Sequence, residues 1–388
     1  MKKSSKIISA LLAVLMLMSL IPGAALADSV DTYEAETAAL LGENSSIGDI
    51  LAGLKDLELP TLAVYCKLSN NLPASNAQIT LTNQLNGETK TYTANKLGIA
   101  LIPKSLLSLY TIAATCDGSI SGLKYSTIPG QSLSTSALPD LQVLVLYPIM
   151  NVGLNYTDHF SYMVGYEDGT VRPNGSITRG AIASMLFRLL DNDTRDKIFT
   201  KTNSFSDVDA SCAHNNAISS LASCGIISGY ADGTYRPYEP VTRAQFATLV
   251  GRMFSVEYIG KDLFGDINSS FANKYLNLLA KLGIMKGDAN GNANPNDLLT
   301  RGQAATMLNR LLGRLPAVDS ADSCTGIVKT WIDCPRTMWC YGEIMEATNS
   351  HKYTWGLDVP NLFNDDTAIC EEWTSIRTDT PDWIGLSK

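Results

Sequence analysis

Arginine carries the most regular chemical pattern in this chain of 388 residues. Arg179, Arg243 and Arg301 each follow a threonine, at the predicted first residue of a helix. A guanidinium beside the free N–H groups of a helix N-terminus forms a site for an anion. Arg172 and Arg236 each follow a turn a few residues earlier and are further candidates. Sugar polymers that carry carboxylate or pyruvate ketal groups have the charge to fit such sites.

The same arginines have a structural alternative. They could pair with Asp207, Asp266 and Asp333, which recur at regular positions in the chain, and hold neighbouring segments together. Regularly spaced charges serve structure as well as binding. Sequence patterning alone leaves these two roles open.

The arginines belong to an internal repeat. Residues 165–173 (GYEDGTVRP) recur 64 positions later as 229–237 (GYADGTYRP), and a degraded third copy occupies 287–295 (GDANGNANP). A hydrophobic residue, threonine and arginine follow each copy. A second half-motif, Phe-x-Asp, ends at Asp207 and at Asp266. The spacing indicates a repeat architecture.

Each repeat predicts a helix after its threonine. Thr178, Thr242 and Thr300 are N-cap candidates, because a threonine oxygen accepts from the N–H groups of the first turn. Gln245 and Gln303 stand three residues on and complete capping boxes, whereas Ala181 does not. Apolar residues then follow at i, i+3, i+4 and i+7, which is typical of a core-facing stripe.

The repeats are out of phase with the ends of the chain. The first copy lacks a Phe-x-Asp half, and the tail supplies Trp331-Ile-Asp333 instead. Repeat units bury their apolar faces only against neighbours. We therefore expect the C-terminal half repeat to pair with the N-terminal half and to close a three-fold ring.

These motifs resemble the S-layer homology (SLH) family, whose repeats read approximately F-x-D-V, helix, G-x-x-D-G-T-x-R-P, I-T-R-A-E, helix. The resemblance implies a mainly α module of three helix–loop–helix repeats in a pseudo-three-fold ring. It also implies that grooves between repeats bind a pyruvylated secondary cell-wall polymer, with contacts from Arg179, Arg243 and Arg301. Of the tryptophans that family members use for sugar stacking, only Trp339 is present, and Ala213 and Phe271 occupy the other aligned positions.

The segments before the repeats predict export and a β domain. Residues 1–27 combine three lysines, an apolar run and a small-residue cleavage site, which is typical of a secretory signal peptide. Residues 60–150 show short alternating strands with Asn-Gly and Asp-Gly turns, which predict an all-β sandwich. That order resembles prealbumin-like and carboxypeptidase-regulatory-like domains. A disulfide between Cys66 and Cys116 is plausible there, although the sequence does not fix the pairing.

Other functional classes fit less well. The net charge of −8 argues against a nucleic-acid binder. The histidines lie in no hydrolase or metalloprotease motif. A calcium loop from Asp288 would place Leu299 where a carboxylate is needed. We therefore expect no cofactor, metal or enzymatic activity.

The sequence predicts a multidomain protein, secreted to the cell wall or cell surface, that is anchored non-covalently to cell-wall polysaccharide. An alternative is an adhesin or S-layer assembly subunit whose repeats are only a scaffold and whose β-sandwich binds another surface protein; a wall-associated enzyme is less favoured. The predicted units are a signal peptide (1–27), a linker or short helix (28–59), the β-sandwich (60–150), SLH repeat 1 second half (151–204), repeat 2 (205–263), repeat 3 (264–330) and a closing half repeat with tail (331–388).

Overall fold

A computed structural model describes residues 61–70, 72–103, 110–128, 141–316, 320–360 and 367–386. The predicted signal peptide and the predicted linker or short helix at 28–59 lie outside these ranges. The predicted division into a β-rich N-terminal part and a helical C-terminal part is confirmed. No helix within the described ranges is long and apolar enough to cross a membrane.

Seven strands form the N-terminal part, in one hydrogen-bonded order, β3-β2-β5-β6-β7-β1-β4. β1 pairs in parallel with β7, and the other pairs are antiparallel. Strand β7 connects the two halves, since it pairs with β6 near Pro148 and with β1 over Leu141–Leu146. The two-layer sandwich stays a prediction. The strands are β1 Thr61–Leu68, β2 Gln78–Asn83, β3 Thr89–Thr93, β4 Ile99–Pro103, β5 Tyr110–Asp117, β6 Lys124–Ser126 and β7 Leu141–Pro148.

The two cysteines of this part are free thiols in the structure. Cys66 is buried in β1 and Cys116 is half-buried in β5. Burial, with a smaller contribution from the charge of the nearby Cys116, raises the pKa of Cys66 to about 12. Because Cys116 acts on Cys66, the two thiols lie in one neighbourhood, and the disulfide between them stays a prediction.

The C-terminal part is helical and ends in a β-hairpin. The sequence interpretation treated residues 331–388 as a half repeat and tail, and the hairpin of β8 and β9 is an addition to it. The elements are α1 Arg179–Leu189, α2 Asn192–Ile198, α3 Asn215–Ser223, α4 Arg243–Gly251, α5 Asn273–Lys281, α6 Arg301–Leu312, α7 Ser320–Ser323, α8 Tyr341–Thr348, β8 His351–Pro360 and β9 Thr367–Ile376.

The predicted caps are present at α1, α4 and α6. Each threonine side chain accepts from the backbone N–H three residues on. Gln245 and Gln303 return the bond to the N-cap backbone, so α4 and α6 carry complete capping boxes. Ala181 leaves α1 with half a box, as the sequence predicts.

Backbone bonds join the three repeats in a cyclic order. The N–H of Ile177 donates to Leu299 O, that of Leu299 to Val241 O, and that of Val241 to Ile177 O, each at 2.9 Å. The next turn repeats the pattern, since Gly180, Ala244 and Gly302 donate to Pro237, Pro295 and Pro173 of the facing repeat. Each repeat therefore contacts both others at the start of its helix.

An aromatic ring packs against a glycine in every repeat. A Cβ on Gly229 would lie 2.6 Å from Phe205, and one on Gly287 would lie 2.9 Å from Phe264. Gly165 meets the buried ring of Trp331 in the same way, although Trp331 belongs to the C-terminal half repeat. The two half repeats are thus packed together as the repeat phase predicts.

Completing the capping box of α1 should stabilise the chain. The change Ala181→Gln adds the missing acceptor for the Thr178 backbone N–H and should raise the free energy of unfolding by about 1 kcal/mol or less. Thermal unfolding of the full chain measures the effect. Gln245→Ala is the matched reverse change, and an unchanged midpoint in both variants would contradict the role of the box.

Candidate functional site

The three repeated aspartates bind backbone amides. Asp207 accepts from the N–H groups of Tyr235 and Arg236 at 2.8 and 2.7 Å, one on each oxygen. Asp266 accepts in the same way from Ala293 and Asn294. Asp333 accepts from Val171 and Arg172 at 2.8 Å, across about 160 residues of sequence. The carboxylates predicted as polymer contacts therefore have both oxygens engaged in holding turns.

The T-R arginines are buried between repeats. Arg179, Arg243 and Arg301 are 5–8 % exposed. Their Nε groups donate to Tyr235 O, Ala293 O and Val171 O of the facing repeat, at 2.8, 2.6 and 2.7 Å. None of the ion pairs in the described ranges joins them to Asp207, Asp266 or Asp333. The alternative of direct Arg–Asp pairing was wrong, because both partners bind the backbone between them.

The post-turn arginines are exposed and stack on tyrosines. Arg172 lies 3.8 Å from the Tyr166 ring and pairs with Asp168 at 3.0 Å. Arg236 lies 4.1 Å from the Tyr230 ring and pairs with Asp232 at 2.8 Å. Hydrogen bonds, chiefly from Thr170, lower the pKa of Asp168 to about 2. These Arg–Asp pairs lie at the surface beside the buried arginines Arg179 and Arg301.

The third repeat replaces this arrangement. Asn294 donates its amide to Asp288 Oδ2 at 3.0 Å, as Arg172 and Arg236 do to their aspartates. It also keeps the left-handed backbone of Arg172 and Arg236, with a φ of 51°. Asp288 accepts further bonds from the N–H groups of Asn290 and Asn292. This geometry matches the repeat register of the segment that resembles a calcium loop.

A pocket of about 290 Å³ opens beside this third turn. Its lining combines Arg243, Lys286 and Arg310 with the carboxylates of Asp288 and Asp297 and the exposed ring of Trp339. The three cationic side chains outnumber the two carboxylates. Burial lowers the pKa of Lys286, and the positive charge of Arg310 lowers it further. Adjacent positive charges and an aromatic face suit an anionic sugar, because the cations attract its charge and the ring covers its apolar face.

The structure brings two predicted site residues, Arg243 and Trp339, into this one pocket. Lys286 was not predicted, because no lysine recurs at its position in the other repeats. Arg310 recurs in the other repeats as Arg188 and Arg252, and this recurrence is a signal from which it could have been found. Phe271, aligned with Trp339, is 70 % exposed but does not line this pocket.

Comparison with known families decides what these repeats are. Residues 161–183, 204–247 and 263–305 match the S-layer homology domain. The chain carries S-layer homology domains. The matched segments contain all three T-R motifs and two of the three Phe-x-Asp motifs, so the resemblance read from the residues is confirmed for the SLH repeats.

Curated relatives match part of this chain. Cell surface glycoprotein 1 of Acetivibrio thermocellus is 28 % identical over half of this chain and 9 % of its own length. The cellulosome-anchoring protein of the same organism is 29 % identical over half of this chain and 44 % of its own length. An amylopullulanase of Thermoanaerobacterium thermosulfurigenes is 32 % identical over 38 % of this chain and 8 % of its own length. The chain thus spans less than half the length of these relatives.

Removing the Asp333 carboxylate should open the contact between the two half repeats. Asp333→Ala loses two hydrogen bonds to a charged acceptor, and we expect a loss of about 2–3 kcal/mol in the free energy of unfolding. Urea unfolding measures the loss. Limited proteolysis should also release a fragment that begins beyond residue 316.

Asp207→Ala is the matched control, since it removes the same two bonds within repeat 2. It should destabilise the chain without releasing that C-terminal fragment. Identical proteolysis patterns for the two variants would contradict a closing role for Asp333.

Proposed function

We propose that this chain is held at the bacterial cell surface by non-covalent binding of its SLH domains to cell-wall polysaccharide. The observation that carries the proposal is the pocket in which Trp339 faces Arg243, Lys286 and Arg310. The printed names of two relatives, a cell surface glycoprotein and a cellulosome-anchoring protein, support the same location and role.

The proposed ligand is a secondary wall polymer with pyruvate ketals. A ketal carries one carboxylate on a sugar ring, so it pairs a negative charge with an apolar face. The pocket offers matching groups, since three cationic side chains and an indole line it. Arg172 and Arg236, stacked on Tyr166 and Tyr230, offer weaker secondary sites because each already pairs with an aspartate.

The proposed architecture is a pseudo-three-fold ring of three repeats, the last completed by the C-terminal half repeat. The cyclic backbone bonds and the Asp333 contacts support it. The proposal assigns no reaction to the chain. None of the three histidines lines the pocket at Trp339.

Co-sedimentation of the full chain with purified walls tests the anchor. Wall binding should need the secondary polymer and disappear after its extraction. Trp339→Ala should weaken binding at least about tenfold, because truncation of a central aromatic contact commonly costs that much. Lys286→Ala should weaken binding more at low salt than at high salt.

Phe271→Ala is the matched control, because it removes the aligned exposed aromatic outside the pocket. It should bind walls as the unchanged chain does. Equal losses for Phe271→Ala and Trp339→Ala would reject this pocket as the principal site. Undiminished binding to extracted walls would reject the polymer as ligand.

Selective removal of the ketals tests the finer proposal. Mild acid releases pyruvate from the polymer, and binding to the treated polymer should then fall to the level of Trp339→Ala. Full binding to treated polymer would leave the anchor intact and reject the pyruvate ketal as the recognised group.

A further inference from the structure

Four buried side chains converge beside the C-terminal hairpin. His159 precedes the first repeat helix, Glu346 lies in α8, and His351 and Glu371 lie in β8 and β9. All four residues are at most 1 % exposed. Their main chains also meet, since His351 N–H donates to His159 O and Glu371 N–H donates to Leu315 O. None of the four lines the pocket at Trp339.

The polar atoms of these side chains are spaced like the ligands of one metal ion. His159 Nδ1 lies 3.2 Å from His351 Nε2, 3.0 Å from Glu346 Oε1 and 3.5 Å from Glu371 Oε2. His351 Nε2 lies 3.1 Å from Glu346 Oε2. Tetrahedral ligands about 2.0–2.1 Å from a zinc ion are about 3.3 Å apart. In the described ranges, this is the one group of at least three His, Cys, Asp or Glu residues whose ligand atoms all lie within 4.8 Å of one another.

The two histidine rings each turn one nitrogen toward the cluster. His351 Nδ1 lies 3.1 Å from Asn349 O, which only accepts, so Nδ1 carries a proton. His351 Nε2 is then the ring atom that faces Glu346 and His159. His159 Nδ1 faces His351 Nε2 and two carboxylate groups. A cation bound among these atoms would have both ring nitrogens and the carboxylate oxygens as ligands.

Surrounding groups orient the ligands as in known metal sites. The bond from His351 to a backbone carbonyl fixes the tautomer that ligates through Nε2. Trp373 Nε1 donates to Glu346 Oε2 at 3.2 Å, and the Trp373 ring stacks on His351 at 3.9 Å. Tyr353 packs on His159 at 4.2 Å.

Two buried cations offer a rival means of neutralising the glutamates. Arg314 Nη1 lies 3.5 Å from Glu346 Oε1, and the charge of Lys67 acts on Glu371. An ion-pair network alone explains the two carboxylates. It does not explain why two imidazole nitrogens lie 3.2 Å from each other and 3.0–3.1 Å from the same carboxylate group.

We propose that His159, Glu346, His351 and Glu371 bind one divalent transition-metal ion, with Zn²⁺ preferred, in a closed structural site. Four protein ligands and complete burial leave no position for substrate. The ion would tie the segment before the first repeat helix to the last helix and to the hairpin. This site is independent of the polymer pocket, and its failure would leave the anchoring proposal intact.

Zinc binding to the chelator-stripped full chain tests the proposal. Titration calorimetry with ZnCl₂ should give one equivalent bound, and the midpoint of thermal unfolding should rise when zinc is added. X-ray absorption of the loaded protein should give two imidazole nitrogens and two carboxylate oxygens at about 2.0–2.2 Å. His351→Gln and Glu371→Gln should each weaken zinc binding at least about tenfold.

The chain supplies matched controls for both ligand types. His214→Gln removes the third histidine, and Glu343→Gln removes a buried glutamate one turn before Glu346 on the same helix. Both variants should bind zinc as the unchanged chain does. If a ligand variant fails to fold, the stoichiometry and absorption spectrum of the unchanged chain still decide.

No binding of zinc by the unchanged chain, with no rise in its unfolding midpoint, would overturn the proposal. Equal affinity in His351→Gln and in the unchanged chain would overturn it as well. The cluster would then be an ion-pair network completed by Arg314 and Lys67.

Discussion

The SLH region depends on one residue in each turn whose backbone N–H and backbone C=O are both bound by side chains. The Asp of one repeat accepts the N–H of Tyr235, Ala293 or Val171, and the Arg of the facing repeat donates to the C=O of the same residue. The next residue adopts a left-handed backbone, with φ of 51–60°. Such a conformation costs energy for residues other than glycine. The second carboxylate oxygen compensates by binding the N–H of that residue.

These two bonds, from the Asp and from the Arg, distinguish the residues that build the scaffold from those that remain on the surface. The family resemblance assigned Arg179, Arg243 and Arg301 to polymer contact. In the structure, each of these arginines donates from Nε to a backbone carbonyl of the facing repeat. The side chains that differ between repeats are those left on the outside. Two repeats present Arg–Tyr pairs, whereas the third presents Asn294, Lys286 and Trp339 around an open pocket. The scaffold bonds end on backbone groups, which every repeat has, whereas the grooves are lined by side chains, which differ between repeats. Similar repeats can therefore form one regular scaffold with grooves that differ from one another.

Two different kinds of contact join the N-terminal and C-terminal ends of the repeat region. Near residue 171 the contact is polar and repeats the Asp–backbone bonds seen inside the other repeats, with Asp333 as the acceptor. Near residue 159 the contact is a buried cluster that no other repeat contains, supplied by the hairpin after α8. The N-terminal strands reach the same region, since Tyr147 stacks on Tyr156 at 3.9 Å and Lys67 influences Glu371.

The sequence by itself determined the repeat, its phase and the threonine caps. These features follow from local hydrogen bonding and helical spacing, which are written in adjacent residues. The sequence also indicated the β-rich N-terminal part. It did not indicate that β7 would pair with both β6 and β1 and so connect the seven strands. Alternation identifies strands, whereas their neighbours depend on the path of the whole chain.

Only the tertiary structure decided which arginines are buried, where Lys286 and Arg310 meet Trp339, and that two histidines 192 residues apart share one cluster. These contacts form only when segments distant in sequence come together in the fold. The residues next to His159 and Glu371 in sequence form no pattern from which their partners could be predicted. The C-terminal hairpin was missed for the same reason. Its strands are stabilised by burial against the repeats, which spacing within the segment does not encode.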